Sequence, residues 1–118
     1  DDAVDEAPDT QTAQANLALY QIKVGQLYEV ADMPSDMTSL QKAVKTYALP
    51  RQYFDDLLQG LERDCHRPVE IHSWEELQDY CYRVAGCVGL QSMRIFGVVS
   101  ETGDAFAVAL GRALQLTN

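Results

Sequence analysis

Apolar residues along this chain recur at three- and four-residue steps, and the alternating runs that build sheets are scarce. That periodicity admits helices packed on helices and little else. Asp1 to Glu6 reads as the last turns of a helix, which Pro8 separates from a second, roughly Thr10 to Ala31. In that second helix Leu17, Tyr20, Val24, Leu27 and Tyr28 mark a stripe expected to be buried. Met33-Pro34-Ser35-Asp36 has turn chemistry and offers a cap for a short helix, about Asp36 to Tyr47. Pro50 suits the first turn of the next, which runs to Cys65 with Phe54, Leu57, Leu58 and Leu61 inward.

Ser73 carries the strongest helix-start signal. Ser73-Trp74-Glu75-Glu76 fits a capping box, in which Ser73 caps a backbone N–H and Glu76 reaches back. The pattern continues through Leu77, Tyr80, Cys81, Val84, Val88 and Met93 to Phe96, and Gly97 supplies a stop. A last helix starts near Glu101 and runs off the end of the chain, its stripe being Phe106, Leu110, Ala113, Leu114 and Thr117. The expected class is all-α. At 118 residues and 47% hydrophobic content, one domain's worth of core is available. The abrupt opening on Asp1-Asp2 and the uncapped last helix predict a central fragment, residues 1–118, of one longer domain.

Charge and cysteine content narrow the function. Eighteen acidic against nine basic residues give a net charge of −9. A nucleic-acid partner would need basic clusters to displace counterions, so none is expected. Cations suit this chain better. Cys65, Cys81 and Cys87 are odd in number and form no C-x-x-C pair, and neither His66 nor His72 completes a zinc ligand set. Free thiols in a reducing cytosol follow. No apolar run approaches the roughly 20 residues of a membrane span.

Three places could carry chemistry. Asp1 and Asp5 stand four apart, so a helix aims both carboxylates one way, where they repel each other until a divalent cation bridges them. Mg²⁺ fits such a pair, since it takes few carboxylate oxygens and fills its shell with water and phosphate. Gly86 and Gly89 lie three apart in an apolar helix, where each glycine costs roughly 1 kcal/mol relative to alanine. Their place is explained either by a neighbouring backbone in close approach or by a ligand that needs the room. Gln115 and Asn118 share one face of a mostly apolar helix, and amides so placed need a partner, in another helix or in a polar ligand.

In order and spacing these landmarks resemble the squalene/phytoene synthases, all-helical enzymes of the isoprenoid synthase fold. The resemblance rests on D-D-A-V-D-E at 1–6, Y-A-L-P-R at 47–51, G-L-E-R-D at 60–64 and E-E-L-Q-D-Y-C at 75–81. It continues through R-V-A-G-C-V-G at 83–89, R-I-F-G at 94–97 and L-G-R-A-L-Q-L-T-N at 110–118, and so covers essentially the whole chain. It implies a Mg²⁺-dependent transferase that joins two prenyl diphosphates head to head (1′–1). R-I-F-G and A-L-G-R-A-L-Q-L-T-N look more like the bacterial, squalene-directed branch of hopanoid pathways than the phytoene-forming branch. The implied substrate is therefore farnesyl diphosphate and the product presqualene diphosphate or squalene, with NADPH needed only for squalene. Geranylgeranyl diphosphate and phytoene are the alternative, and a non-catalytic assembly protein is the third reading. A cytoplasmic enzyme, peripherally associated with membrane for its lipid product, is what the resemblance implies for localisation.

Carried over by motif, Asp1 and Asp5 match the first and last carboxylates of a D-x-x-x-D metal motif, and Asn118 a metal-contacting asparagine. Gln115 resembles a glutamine that faces prenyl diphosphate. Tyr80 matches a tyrosine of the reaction chamber and is the catalytic candidate. Gly86 and Gly89 look like small residues that leave space for the isoprenoid. Asp64 matches a recurrent aspartate read here as structural, and no diphosphate contact is transferred to Arg51 or Arg83. The family's substrate-contacting arginine and second aspartate-rich motif have no counterpart in these residues, so the 118-residue piece is expected to be incompetent alone.

Overall fold

The computed structural model describes residues 9–66, 70–97 and 100–117. These form α1 (Thr10–Glu29), α2 (Thr38–Tyr47), α3 (Arg51–Cys65), α4 (Trp74–Cys81), a π-helical turn (Tyr82–Gly86), α5 (Cys87–Ile95) and α6 (Glu101–Thr117). Every described element is helical, which matches the all-α expectation. The expected helix Asp1 to Glu6 lies outside the described residues.

Local chemistry sets the boundaries. Asp9 opens α1, its Oδ1 accepting the Thr12 N–H at 2.7 Å. Ser73 caps α4 by accepting the Glu76 N–H at 3.1 Å, and the Glu76 carboxylate reaches back to the His72 N–H at 3.0 Å. The reciprocal bond thus lands one residue earlier than the ideal capping box. Gly97 ends α5 with φ of 81°, the left-handed conformation that glycine adopts without penalty. The cap expected from Met33-Pro34-Ser35-Asp36 is not made. The helix starts at Thr38 with no side-chain cap, and Asp36 instead pairs with Lys23 of α1 at 3.2 Å.

The principal core lies among α1, α2 and α3. Ala13, Leu17, Val24 and Leu27 of α1 face Val44 of α2 and Leu58, Leu61 and Cys65 of α3, with Met33, Met37 and Leu49 closing the ends. Tyr28 meets Phe54 edge-on at 6.4 Å between ring centroids, and its hydroxyl donates to the Leu49 carbonyl at 2.7 Å. Tyr20, expected in the same stripe, is instead exposed and lies beside Lys23. It sits at the edge of the face that α2 and α3 cover.

From this core the helices continue sideways rather than stacking. α3 contacts α1 on one flank and the π turn on the other, and the π turn and α5 in turn carry α6. The extents are 41 × 38 × 18 Å, and the radius of gyration is 15.0 Å. A compact chain of this length would have about 13.5 Å, so the helices form a flattened slab. Phe106, Leu110 and Leu114 occupy one exposed face of α6. That arrangement fits a partial isoprenoid synthase bundle. No described helix is long and apolar enough to cross a membrane.

Candidate active site

Gly86 and Gly89 lie on the seam between the α4–π–α5 rod and α6, Gln115 stands on α6 one turn beyond Gly111, and Tyr80 stands on α4 before the π turn. Asp1, Asp5 and Asn118, the expected metal ligands, lie outside the described residues. Among the described residues, no group of three or more His, Cys, Asp or Glu could hold a metal ion.

The seam is built by small residues. A side chain at position 111 would meet the Gly86 Cα and N at 3.0 Å and the Ala85 carbonyl carbon at 3.1 Å. One at position 89 would meet the Ala107 carbonyl oxygen at 3.0 Å. The space that Gly89 leaves is therefore filled by the backbone of α6, the space beside Gly86 by the Tyr82 ring, and the space that Gly111 leaves by the Gly86 backbone. Of the two explanations the sequence leaves open, close helix packing is the one realised here. The antiparallel register Gly89–Ala107 and Gly86–Gly111, followed along both helices, puts α4, with Tyr80, and the Gln115 turn of α6 toward the same end of the seam. Gln115 is half-buried, one turn beyond Gly111.

On the other side of the rod, α3 fixes Tyr80. Its hydroxyl donates to Asp64 Oδ1 at 2.6 Å. Asp64, read from the sequence as structural, is thus in direct contact with the catalytic candidate. Gly60, one turn earlier on α3, lets the rod approach so closely that a Cβ there would stand 2.8 Å from Arg83 Cβ.

Sequence reasoning missed the π turn and the buried carboxylate beside it. Asp56 is only 6% exposed, yet it is well supplied with donors. Gln52 Nε2 donates to its Oδ1 at 2.7 Å, the Tyr82 hydroxyl to its Oδ2 at 2.7 Å, and Arg83 Nη1 to its Oδ1 at 3.4 Å. Burial, and after it the Asp56 carboxylate, push the Tyr82 phenol above its ordinary range and keep it a donor. The Cys87 N–H bonds to the Tyr82 carbonyl five residues back, as a π turn requires, and its thiol donates to the Arg83 carbonyl at 2.8 Å. Burial pushes that thiol up to about 11. Among the described residues no disulfide joins Cys65, Cys81 or Cys87, and all three are buried.

A groove of about 550 Å³ opens beside the seam, with Tyr53, Tyr82, Leu90, Val108 and Arg112 in its walls. None of Tyr80, Gly86, Gly89 or Gln115 lines it.

Comparison with known proteins supplies the frame for this seam. The family model described as squalene/phytoene synthase matches residues 1–118. The presqualene diphosphate synthase of Rhodopseudomonas palustris is 34% identical over 118 residues, which is 100% of this chain and 42% of that protein. That of Sinorhizobium fredii is 35% identical with the same coverage, 100% and 42%. The 15-cis-phytoene synthase of a Synechocystis species is 38% identical over 109 residues, covering 82% of this chain and 31% of that protein. The chain thus spans less than half the length of the curated relatives it matches. No solved structure matches it significantly. With the whole length matched and the helical seam in place, the chain belongs to the squalene/phytoene synthase family.

Proposed function

We propose that residues 1–118 are the central part of an enzyme that joins two prenyl diphosphates head to head, two farnesyl diphosphates giving presqualene diphosphate or squalene. The observation that carries this reading is the similarity of the chain, over its whole length, to presqualene diphosphate synthases, with Tyr80 held by Asp64 beside the α6 seam. Gln115 would donate its amide protons to a diphosphate oxygen. The Tyr80 hydroxyl is engaged by Asp64, so its ring would face an allylic cation and stabilise it through the negative face of the π system. The apolar walls of the completed bundle would keep water from the cation and hold the two chains in register.

Asp1, Asp5 and Asn118 would hold Mg²⁺, for which hard oxygen donors are suited. When bound, the ion would neutralise the charge that grows on the departing diphosphate. NADPH belongs to the reaction only if squalene is the product. A cytoplasmic enzyme meeting the membrane peripherally is the setting that a lipid product favours.

A second reading, phytoene formation from geranylgeranyl diphosphate, is favoured by the 38% identity to a phytoene synthase. Diphosphate release by the full-length protein with Mg²⁺, measured on farnesyl and geranylgeranyl diphosphates in parallel, tests both. Faster release from the farnesyl compound supports the first reading. Release from neither removes both and favours a non-catalytic assembly protein.

A further inference from the structure

The α4–α5 rod does not run as one regular helix. Between Tyr82 and Gly86 it widens into a π turn, which inserts a residue and rotates everything after it by about 100° relative to everything before it. Tyr80 stands before the insertion, and Gly86 and Gly89, which seat α6, stand at its end and beyond it. The insertion therefore sets how Tyr80 is turned relative to α6 and Gln115. A π turn has poorer hydrogen bonding than the α-helix that competes with it, so something must hold it open.

Asp56 is placed to do so. Its buried carboxylate reaches across from α3 and accepts hydrogen bonds from the first two residues of the π turn, Tyr82 and Arg83. Arg83 is tied down further by Asp79 at 2.9 Å and by Gln59. The Tyr82 ring also leans over Gly86, its Cδ2 lying 3.0 Å from where a Cβ would be. Leaving that carboxylate buried and short of a donor is costly, so any rearrangement of the turn that breaks these bonds is disfavoured.

The geometry points to Asp56 and Tyr82 as positioning residues: their hydrogen bond holds the π turn in place and thereby fixes the angle between Tyr80 and the Gln115 face of α6. This rests on the proposed transferase reading. It assigns a role to neither residue in contacting substrate or metal.

Four substitutions in the full-length protein test it. Tyr82→Phe removes one hydroxyl and leaves the ring. Gln52→Ala removes another hydrogen bond from the same carboxylate, one that does not touch the π turn. Asp56→Asn keeps an acceptor for Tyr82, and Asp56→Ala does not. With farnesyl diphosphate and Mg²⁺, Tyr82→Phe is expected to lower kcat by ~10–100-fold with KM nearly unchanged, since misplacing a reacting group by about 1 Å costs that much. The share of prenyl alcohol, formed when water captures the cation, should rise. Gln52→Ala should keep wild-type kcat even where its Tm falls as far as that of Tyr82→Phe. Asp56→Asn should keep more of kcat than Asp56→Ala, a comparison that stands even if Tyr82→Phe folds poorly. Wild-type kcat and product in Tyr82→Phe, or kcat losses that merely follow Tm across all four variants, would overturn the positioning role alone. Failure of the wild-type protein to condense either prenyl diphosphate would overturn the functional reading and the positioning role with it.

Discussion

Gly111 lies on Gly86 with no room for a single added carbon: a Cβ at 111 would stand 3.0 Å from the Gly86 Cα and N. Both contacts are backbone, so neither side can yield without moving a helix. Gly111→Ala gains about 1 kcal/mol of helix propensity but loses more by forcing α6 away from the π turn. A net destabilisation of about 1–2 kcal/mol is expected in the full-length protein. Urea denaturation of the variant beside the wild type checks it, and unchanged stability would mean that the seam is looser than described.

The metal motif yields a prediction of opposite sign for stability. Asp1→Asn or Asp5→Asn in the full-length protein should cripple turnover while stability without metal holds, or rises by a few tenths of a kcal/mol as a repulsive pair is relieved. Turnover at saturating Mg²⁺ and Tm in chelator read the two effects separately. Full activity in either variant would reduce these carboxylates to a solvated acidic face.

Much of this fold was legible in the residues. Ser73, Glu76 and Gly97 mark helix ends with their own side-chain or backbone chemistry, and the α1–α3 core follows from apolar spacing. The π turn was not legible, because Tyr82-Arg83-Val84-Ala85-Gly86 has no local peculiarity and its support comes from Asp56, 26 residues away from Tyr82. That omission explains a second one. Regular helical spacing puts Val88 in the stripe with Val84, but the inserted residue rotates Val88 to 43% exposure. On the site, small residues and amides could be singled out by type. Which neighbour fills the space beside Gly89 depends on α6, and the pairing of two distant helices is not encoded in either one. Position 64 could be read as structural, but its bond to Tyr80 needed the packing of α3 on α4.

Alkaline pH should weaken the fold. The Cys87 thiol, at about 11, and the Tyr82, Tyr28 and Cys81 groups all hold their protons more tightly in the folded chain, mainly because burial penalises the charged form. Below pH 9.0, the ordinary thiol value, Cys87 is protonated in both states and stability is flat with respect to it. From there to about 11 the unfolded chain releases a proton that the folded one keeps, so stability falls as pH rises. Denaturant titrations of the full-length protein between pH 8 and pH 11 should show this slope, made shallower by Cys87→Ala. A slope identical in the variant would remove Cys87 from the account.

The 118-residue piece on its own is expected to self-associate. Phe106 is 64% exposed, Leu110 47% and Leu114 60%, and they form one stripe along α6 beside a slab that is thin for its length. Contiguous apolar surface of this kind drives association. Sedimentation of the isolated piece checks it, and a monomer with a cooperative thermal transition would show that these residues close a core of their own.

The central claim is a head-to-head condensation by the full-length protein, and the lipid it makes is the most direct test. Farnesyl and geranylgeranyl diphosphates are incubated separately with the protein and Mg²⁺, with and without NADPH, and the extracted lipids are identified by mass. Presqualene diphosphate is expected from the farnesyl compound, or squalene when NADPH is present. Phytoene as the main product would contradict the farnesyl assignment, and no condensation product from either substrate would contradict the claim itself.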